Sequence, residues 1–352
     1  MPKADEGVSN LTFNNMTRSD FIIKTIISIT LLTLITYFIS TLYLFYTLPI
    51  IPSNISINYI LPPHASLKQF TNDLQQNTHL THPIYFKSYA YLTGEAFRLH
   101  SGEYLFKGGS TAPQILKQVA SHNVIIREIT FVEGCTIWQM LNALNQAPRL
   151  NHELKNAPLN KIMQQLNLGN QNPEGQFFPN TYFYTYGSSD KSILIHAYHL
   201  MQQHLQNQWQ QRAANLPYLT SYDALIAASI IEKEAKLNVE RPIIAGVIVR
   251  RLQQKMFLDM DATIIYGLGE NYIGPLTKDD MRKDTPYNSY LHLGFPPTPI
   301  AMPSLASINA ALHPQAGDVM YYVAKNDGSG SHQFSVTYQE QQQAIAKYEG
   351  IK

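Results

Sequence analysis

A chain of 352 residues is long enough for one large core or two medium ones, and a formal net charge of +1 gives no reason to expect a nucleic-acid partner held by bulk electrostatics. Charged residues are scarce, and Asn, Gln, Ser, Thr and Tyr carry much of the polar surface, as suits a protein that handles neutral polar matter such as sugars, although a composition bias gives the same picture. The single cysteine, Cys135, excludes an intramolecular disulfide.

Residues 1–24 form a short tail carrying Lys3, Arg18 and Lys24. From Thr25 to Leu48 run 24 uncharged residues rich in Ile, Leu, Thr, Tyr and Phe, enough for a helix to cross a hydrocarbon layer. The residues that follow, Pro49-Ile50-Ile51-Pro52, do not resemble a small-residue cleavage site, so 25–48 reads as a transmembrane helix and not a signal peptide. Basic residues precede it, and the next one after it is Lys68; this bias predicts a cytoplasmic amino end, with everything beyond about Pro52 on the far side. Tyr43 and Tyr46 read equally as interfacial anchors or packing residues.

Beyond the connector, the pattern predicts a strand over 56–60, a helix over 67–76 opened by Ser66, a strand over 102–106 and a helix through Ile115, Leu116 and Val119. A strand over 124–132 and a helix over 136–146 repeat the unit. Two strands with two short helices between them outline a LysM-like module, here 53–150. Such a module either holds glycans containing N-acetylglucosamine or only stands the rest of the chain off the membrane.

Residues 158–345 read as a mixed α+β domain, giving an α+β chain overall. It starts with a connecting helix over 158–169, followed by an aromatic-rich loop from Glu174 to Tyr184. Flat rings beside amides suit a sugar platform, and an aromatic core cluster is the commoner alternative. The helix over 191–214 carries His196, His199 and His204, but at no recognised ligand spacing, so no metal is expected and the face reads as solvated. No cofactor is expected either. The stretch Ser221 to Asn238 predicts a helix that Ser221 caps. Ala227, Ile230, Ile231 and Glu234 share one face, which puts a carboxylate at the end of an apolar stripe, where burial raises its pKa and prepares it for general-acid work. Glu232 lies roughly 200° around the same helix, so the two cannot form a close pair. Periodicity alone leaves open which of them matters, and a solvated surface helix accounts for both. Later segments, Leu258 to Gly267, Tyr287 to Tyr290 and Gly294 to Ile300, read as stiff loops lining a groove, and 320–324 with 332–334 as a hairpin.

The helix Ala228-Ser229-Ile230-Ile231-Glu232-Lys233-Glu234, then Asp261 with Thr263 and Tyr266-Gly267, Thr285-Pro286-Tyr287-Asn288-Ser289-Tyr290, the Gly294 to Ile300 loop and His332-Gln333-Phe334 occur in order. Together they resemble the membrane-anchored endolytic murein transglycosylase family, also called YceG-like. The resemblance implies cleavage of the β-1,4 bond between N-acetylmuramic acid and N-acetylglucosamine without water, leaving 1,6-anhydro ends. It implies Glu234 as the acid and then the base, and a supporting role for Glu232. It also implies Asp261, Tyr287, Asn288 and Tyr290 as substrate contacts. The implied setting is the inner membrane, with a periplasmic catalytic domain acting on nascent glycan strands beside peptidoglycan synthases. Asp259, Ala262, Arg250 and Asn180 depart from the family pattern, and Asp259 or Asp261 activating water would make the enzyme a muramidase-type hydrolase. A non-catalytic glycan-binding scaffold is the remaining alternative.

Overall fold

The structure, a computed structural model, describes residues 18–348, so Lys3 and most of the 1–24 tail lie outside the described residues. The chain forms two compact units that divide between Ile125 and Ile126.

The first unit opens with α1 (Arg18–Thr47), which starts before the predicted span and takes in Asp20 and Lys24. β1 (Ile57–Leu61), α2 (Leu67–Asn77), α3 (Pro83–Leu92), β2 (Gly102–Phe106) and α4 (Ala112–Ala120) follow. Ser66 opens α2 as expected, its side chain accepting from the Gln69 N–H at 3.2 Å. α3 was not expected, because Tyr, Phe and Ile dominate PIYFKSYAYL and are indifferent helix formers; Pro83, at a first-turn position where no N–H is needed, starts it. β1 and β2 pair antiparallel with Tyr59 opposite Tyr104, and α2, α3 and α4 bury Phe70, Phe86, Ile115 and Leu116 beneath them.

In the second unit, β3 (Arg127–Thr130) pairs antiparallel with β4 (Thr181–Tyr184), and α5 (Ile137–Gln146) buries Ile137, Met140 and Leu144 in the same core. The unit boundary therefore falls inside the stretch 53–150 expected to form one module. The strand predicted over 124–132 shortens because β4 offers only four residues to pair with. Next come α6 (Ile162–Gln165) and α7 (Asp190–Gln210). The aromatic run before α7 mostly faces inward: Phe177, Tyr182 and Tyr184 are buried, so it is core and not a sugar platform.

α8 (Ser221–Glu234) is the centre of the second core, packed by α7, α9 (Arg241–Gln253), α10 (Asp261–Leu268) and α12 (Leu305–Leu312). Every residue from Ala224 to Ile231 is buried, so the helix is apolar all round; the expected single stripe, and the solvated-surface alternative with it, are both corrected. Small residues make this possible, since Ala224, Ala227, Ala228 and Ser229 let neighbouring helices approach closely. Its cap is Thr220, not Ser221: the Thr220 hydroxyl accepts from the Asp223 N–H while the Asp223 carboxylate accepts from that of Thr220. The helix stops at Glu234, short of the predicted Asn238. The segment read as a loop around Asp261 is in fact α10, a two-turn helix. α11 (Lys278–Met281), the hairpin β5 (Tyr321–Ala324) and β6 (His332–Ser335), and α13 (Tyr338–Tyr348) complete the fold.

Candidate active site

Glu232 and Glu234 leave the last turn of α8 in different directions and meet different partners. Glu232 is 6 % exposed at its side chain and ion-pairs with Arg241 of α9 at 3.0 Å. It also accepts from the Ser304 N–H at 2.9 Å and from the Ser304 hydroxyl, and Arg241 donates to that hydroxyl at 2.6 Å. Ser304 caps α12, so this cluster ties three helices together. All of its polar capacity is spent on structure.

Glu234 is half-buried, at the point where α8, α10 and the β5–β6 hairpin meet. Tyr322 of β5 donates to its Oε2 at 3.1 Å, and the Ala262 N–H, in the first turn of α10, approaches Oε1 at 3.4 Å. Burial pushes its pKa up from the ordinary carboxylate value. The Tyr322 hydrogen bond opposes that rise, the Asp261 charge adds to it, and the Ala262 N–H and the His332 charge oppose it. The net direction is upward, toward a carboxyl that keeps its proton.

The partners of Glu234 are themselves held. Arg251 donates to the carbonyls of Met320, Phe257 and Leu258 and pairs with Asp259 at 3.0 Å, joining the start of the hairpin to the turn before α10. Asp259 has a left-handed φ of 48° in that turn. His332 of β6 is half-buried; its Nδ1 lies 2.7 Å from Glu240, which also accepts from the His332 N–H at 2.9 Å, and its ring meets that of Tyr322 edge to face.

Of the residues expected to contact substrate, Asp261 and Tyr290 stand together, the Tyr290 hydroxyl donating to Asp261 at 2.7 Å, and burial and the charges of Asp261 and Glu234 all raise the Tyr290 pKa. Tyr287 belongs to a neighbouring group, its ring 4.8 Å from Tyr266 and its hydroxyl 2.9 Å from Thr298. Asn288 is a correction. It is fully buried and spends both amide hydrogens on the carbonyls of Met281 and Lys283, so it shapes the loop and reaches no groove. Of the α7 histidines, His196 and His199 are exposed, as a solvated face requires, while His204 is half-buried with its ring 4.4 Å from that of Phe178.

A cleft of about 440 Å³ runs between α5 and α10, with Lys233 and Ala262 on the side of Glu234 and Gln139 and Asn142 opposite. Trp138 and Tyr266, whose rings are 5.4 Å apart, line both this cleft and an adjoining one of about 580 Å³ that ends among Asn160, Asn170, Gln171 and Asn172. Rings between side-chain amides form the kind of surface that the sequence suggested for the loop at 174–184. Trp138 gave no signal there because it reads as an ordinary helix residue.

Glu174 was also missed as a site residue. Its carboxyl lies fully buried beneath the cleft, accepting from the Ile137 N–H in the first turn of α5 at 3.2 Å and from the Tyr266 hydroxyl at 3.0 Å, so it pins one wall to the other. The next residue, Gly175, has φ 77°, and a β-carbon there would come within 2.5 Å of Pro299, so only glycine fits. Burial raises the Glu174 pKa to about 7. The proton therefore binds the folded chain more tightly than the unfolded one. The associated stability is complete below the ordinary carboxylate pKa and is lost as pH rises through about 7. Between pH 5 and pH 8 the stability is expected to fall by about 3 kcal/mol from this group. Chemical denaturation at the two values checks it, and Glu174→Gln should flatten the difference.

Comparison with known proteins agrees with this architecture. An endolytic murein transglycosylase from Bacillus subtilis is 27 % identical over 84 % of this chain and 86 % of its own length. One from Streptococcus pneumoniae is 32 % identical over 43 % of this chain, where the match takes in 28 % of the relative. A crystal structure of a YceG-like protein from Listeria monocytogenes superimposes with a TM-score of 0.52 at 25 % identity, covering 82 % of this chain and 99 % of that one. The sequence profile of the YceG-like family matches residues 59–347, and the chain belongs to that family.

Proposed function

We propose that this protein is an endolytic lytic transglycosylase that cuts the β-1,4 bond between N-acetylmuramic acid and N-acetylglucosamine in nascent peptidoglycan strands. The observation that carries the reading is Glu234, a carboxyl whose pKa burial raises and which Tyr322 and Ala262 hold beside an aromatic and amide-lined cleft. Glu234 gives its proton to the leaving glycosidic oxygen as the C1–O bond breaks. Tyr322 and the Ala262 N–H stabilise the carboxylate that results. That carboxylate then takes the proton of the muramyl 6-hydroxyl, whose oxygen closes on C1, so Glu234 ends as it began. Trp138, Tyr266 and Tyr287 would stack on sugar faces, while Gln139, Asn142 and Lys233 take hydroxyl and acetamido groups.

α1 is long and apolar enough to cross a membrane, and the basic residues before it support a cytoplasmic amino end in the inner membrane with the catalytic unit in the periplasm. The β1–α2–α3–β2 order supports a LysM-like glycan-binding role for the first unit, and action on nascent strands supports work beside peptidoglycan synthases. A hydrolase is the second reading. Asp261 lies close enough for its charge to act on Glu234, which gives the site a second carboxylate able to activate water. Mass spectrometry of purified glycan strands after incubation with the full chain in detergent decides between them: anhydromuramyl ends support the lyase, reducing ends the hydrolase, and intact strands the non-catalytic scaffold.

The Tyr322 hydroxyl favours the ionised form of Glu234. Its removal in Tyr322→Phe is therefore expected to raise the Glu234 pKa and move the alkaline limb of the rate profile to higher pH. The plateau rate should fall roughly tenfold, because a hydrogen bond to a charged group is lost. An unchanged limb in the pH dependence of kcat would refute this role.

A further inference from the structure

The first unit holds a set of contacts that a simple anchor does not require. Every described side chain of α1 from Ser19 to Ser40 is exposed, but Thr41 and Phe45, one turn apart, are buried. They are covered in part by α3. The Tyr85 hydroxyl lies 3.3 Å from that of Thr41, and its ring meets Phe38 edge to face at 6.4 Å. One turn later in α3, the Tyr89 ring packs on Phe45 and Tyr46 at 5.7 and 5.6 Å. α3 thus lies alongside the last third of α1, with its amino end level with Phe38 and its later turns level with Tyr46.

The depth of Phe38 follows from helix geometry. A hydrocarbon layer needs about 20 helical residues, so a layer that starts at Thr25 ends near residue 44. Even if Lys24 snorkels and the layer starts at Phe21, it reaches Ser40. Phe38 stays inside in either case, and Tyr85 beside it is at the level of the lipid. The chain also has to travel there: the His79 N–H is bonded to Ile50, beyond the end of α1, and six residues later Tyr85 is back at Phe38. Residues 74–86 contain no Asp, Glu, Lys or Arg, and Pro83 removes a donor where the chain turns into α3. Ile84, at the turn, is 73 % exposed. Farther out, exposed Tyr91 and Phe97 pack ring against ring at 5.9 Å, with Lys87 and Arg98 nearby in sequence, an arrangement suited to the headgroup layer.

We infer that residues 80–85 dip into the outer leaflet beside α1, with Ile84 in lipid and Tyr91 and Phe97 at headgroup depth, so that the first unit is seated on the bilayer and not tethered above it. The occupant of this apolar face is phospholipid, argued from its continuity with α1. The inference rests on the proposed reading of α1 as a membrane-spanning helix.

The test uses the full chain in phospholipid nanodiscs, with Cys135→Ser as background and single nitroxide labels at Leu34→Cys, Ile84→Cys, Phe97→Cys and Asn72→Cys, all exposed positions. Collision of each label with oxygen, which partitions into lipid, is compared with collision with a water-soluble nickel chelate. The oxygen-to-nickel ratio is expected to fall in the order Leu34, Ile84, Phe97, Asn72, with Ile84 several-fold above Asn72. A ratio at Ile84 equal to that at Asn72, with Leu34 high, overturns the inference and leaves the anchor standing. Shielding of Ile84 from both reagents also overturns it, since protein and not lipid would then cover the face. A low ratio at Leu34 removes the anchor and the inference together.

Discussion

Glu234→Gln is expected to lower glycan cleavage by about a thousandfold or more, within the range that a positioned acid and base contributes. Glutamine fits the same volume; its one oxygen can still accept from the Ala262 N–H, and its amide N–H can donate to the Tyr322 hydroxyl, so the side chain keeps its place. Glutamine has no proton to give to the glycosidic oxygen and cannot take one from the 6-hydroxyl. The loss should therefore appear in kcat, with little change in KM and an unchanged circular dichroism spectrum. Residual activity above a tenth of the wild-type rate would transfer the acid role to another group. In the wild-type protein the rate should decline as pH rises through the elevated Glu234 pKa, because the reactive form is the protonated one.

The second large effect concerns stability. Arg241→Ala leaves the Glu232 carboxylate buried with only Ser304 for company. Removing one partner of a buried ion pair costs about 3–5 kcal/mol, a large part of the roughly 5–15 kcal/mol that holds a domain folded. The denaturant midpoint should fall accordingly. Glu232→Gln should cost less, since glutamine keeps an acceptor for Ser304 and the buried Arg241 still donates to the Ser304 hydroxyl. A double substitution should fall well short of the sum of the two, because both remove the same pair. Equal and additive losses would show that the cluster does not act as a unit.

Local pattern was legible where the chemistry is local. The cap at Ser66 and the hairpin at 321–335 follow from residues within a few positions of one another. The helix carrying Glu232 and Glu234 was equally plain, but its environment was not: periodicity suggested one apolar face, whereas the alanines let neighbours close on every side. Residues that act through distant partners left no mark. Glu174 reads as one more loop carboxylate until Ile137 and Tyr266 close over it, and Tyr322 as one more strand tyrosine until the hairpin reaches α8. Asn288 shows the converse, a polar residue in a suggestive segment whose hydrogen bonds all turn inward.

The donor to Glu234 lies 88 residues farther along the chain, on the hairpin next to the carboxyl end. A contact of such long range forms late, after the loop between its partners has been closed. A chain that emerges amino end first carries its carboxyl acid through 88 further residues with no hydroxyl to receive the charge. The reactive centre is therefore assembled only when the last strands arrive, and a chain interrupted before Tyr321 would retain the acid without its counterpart.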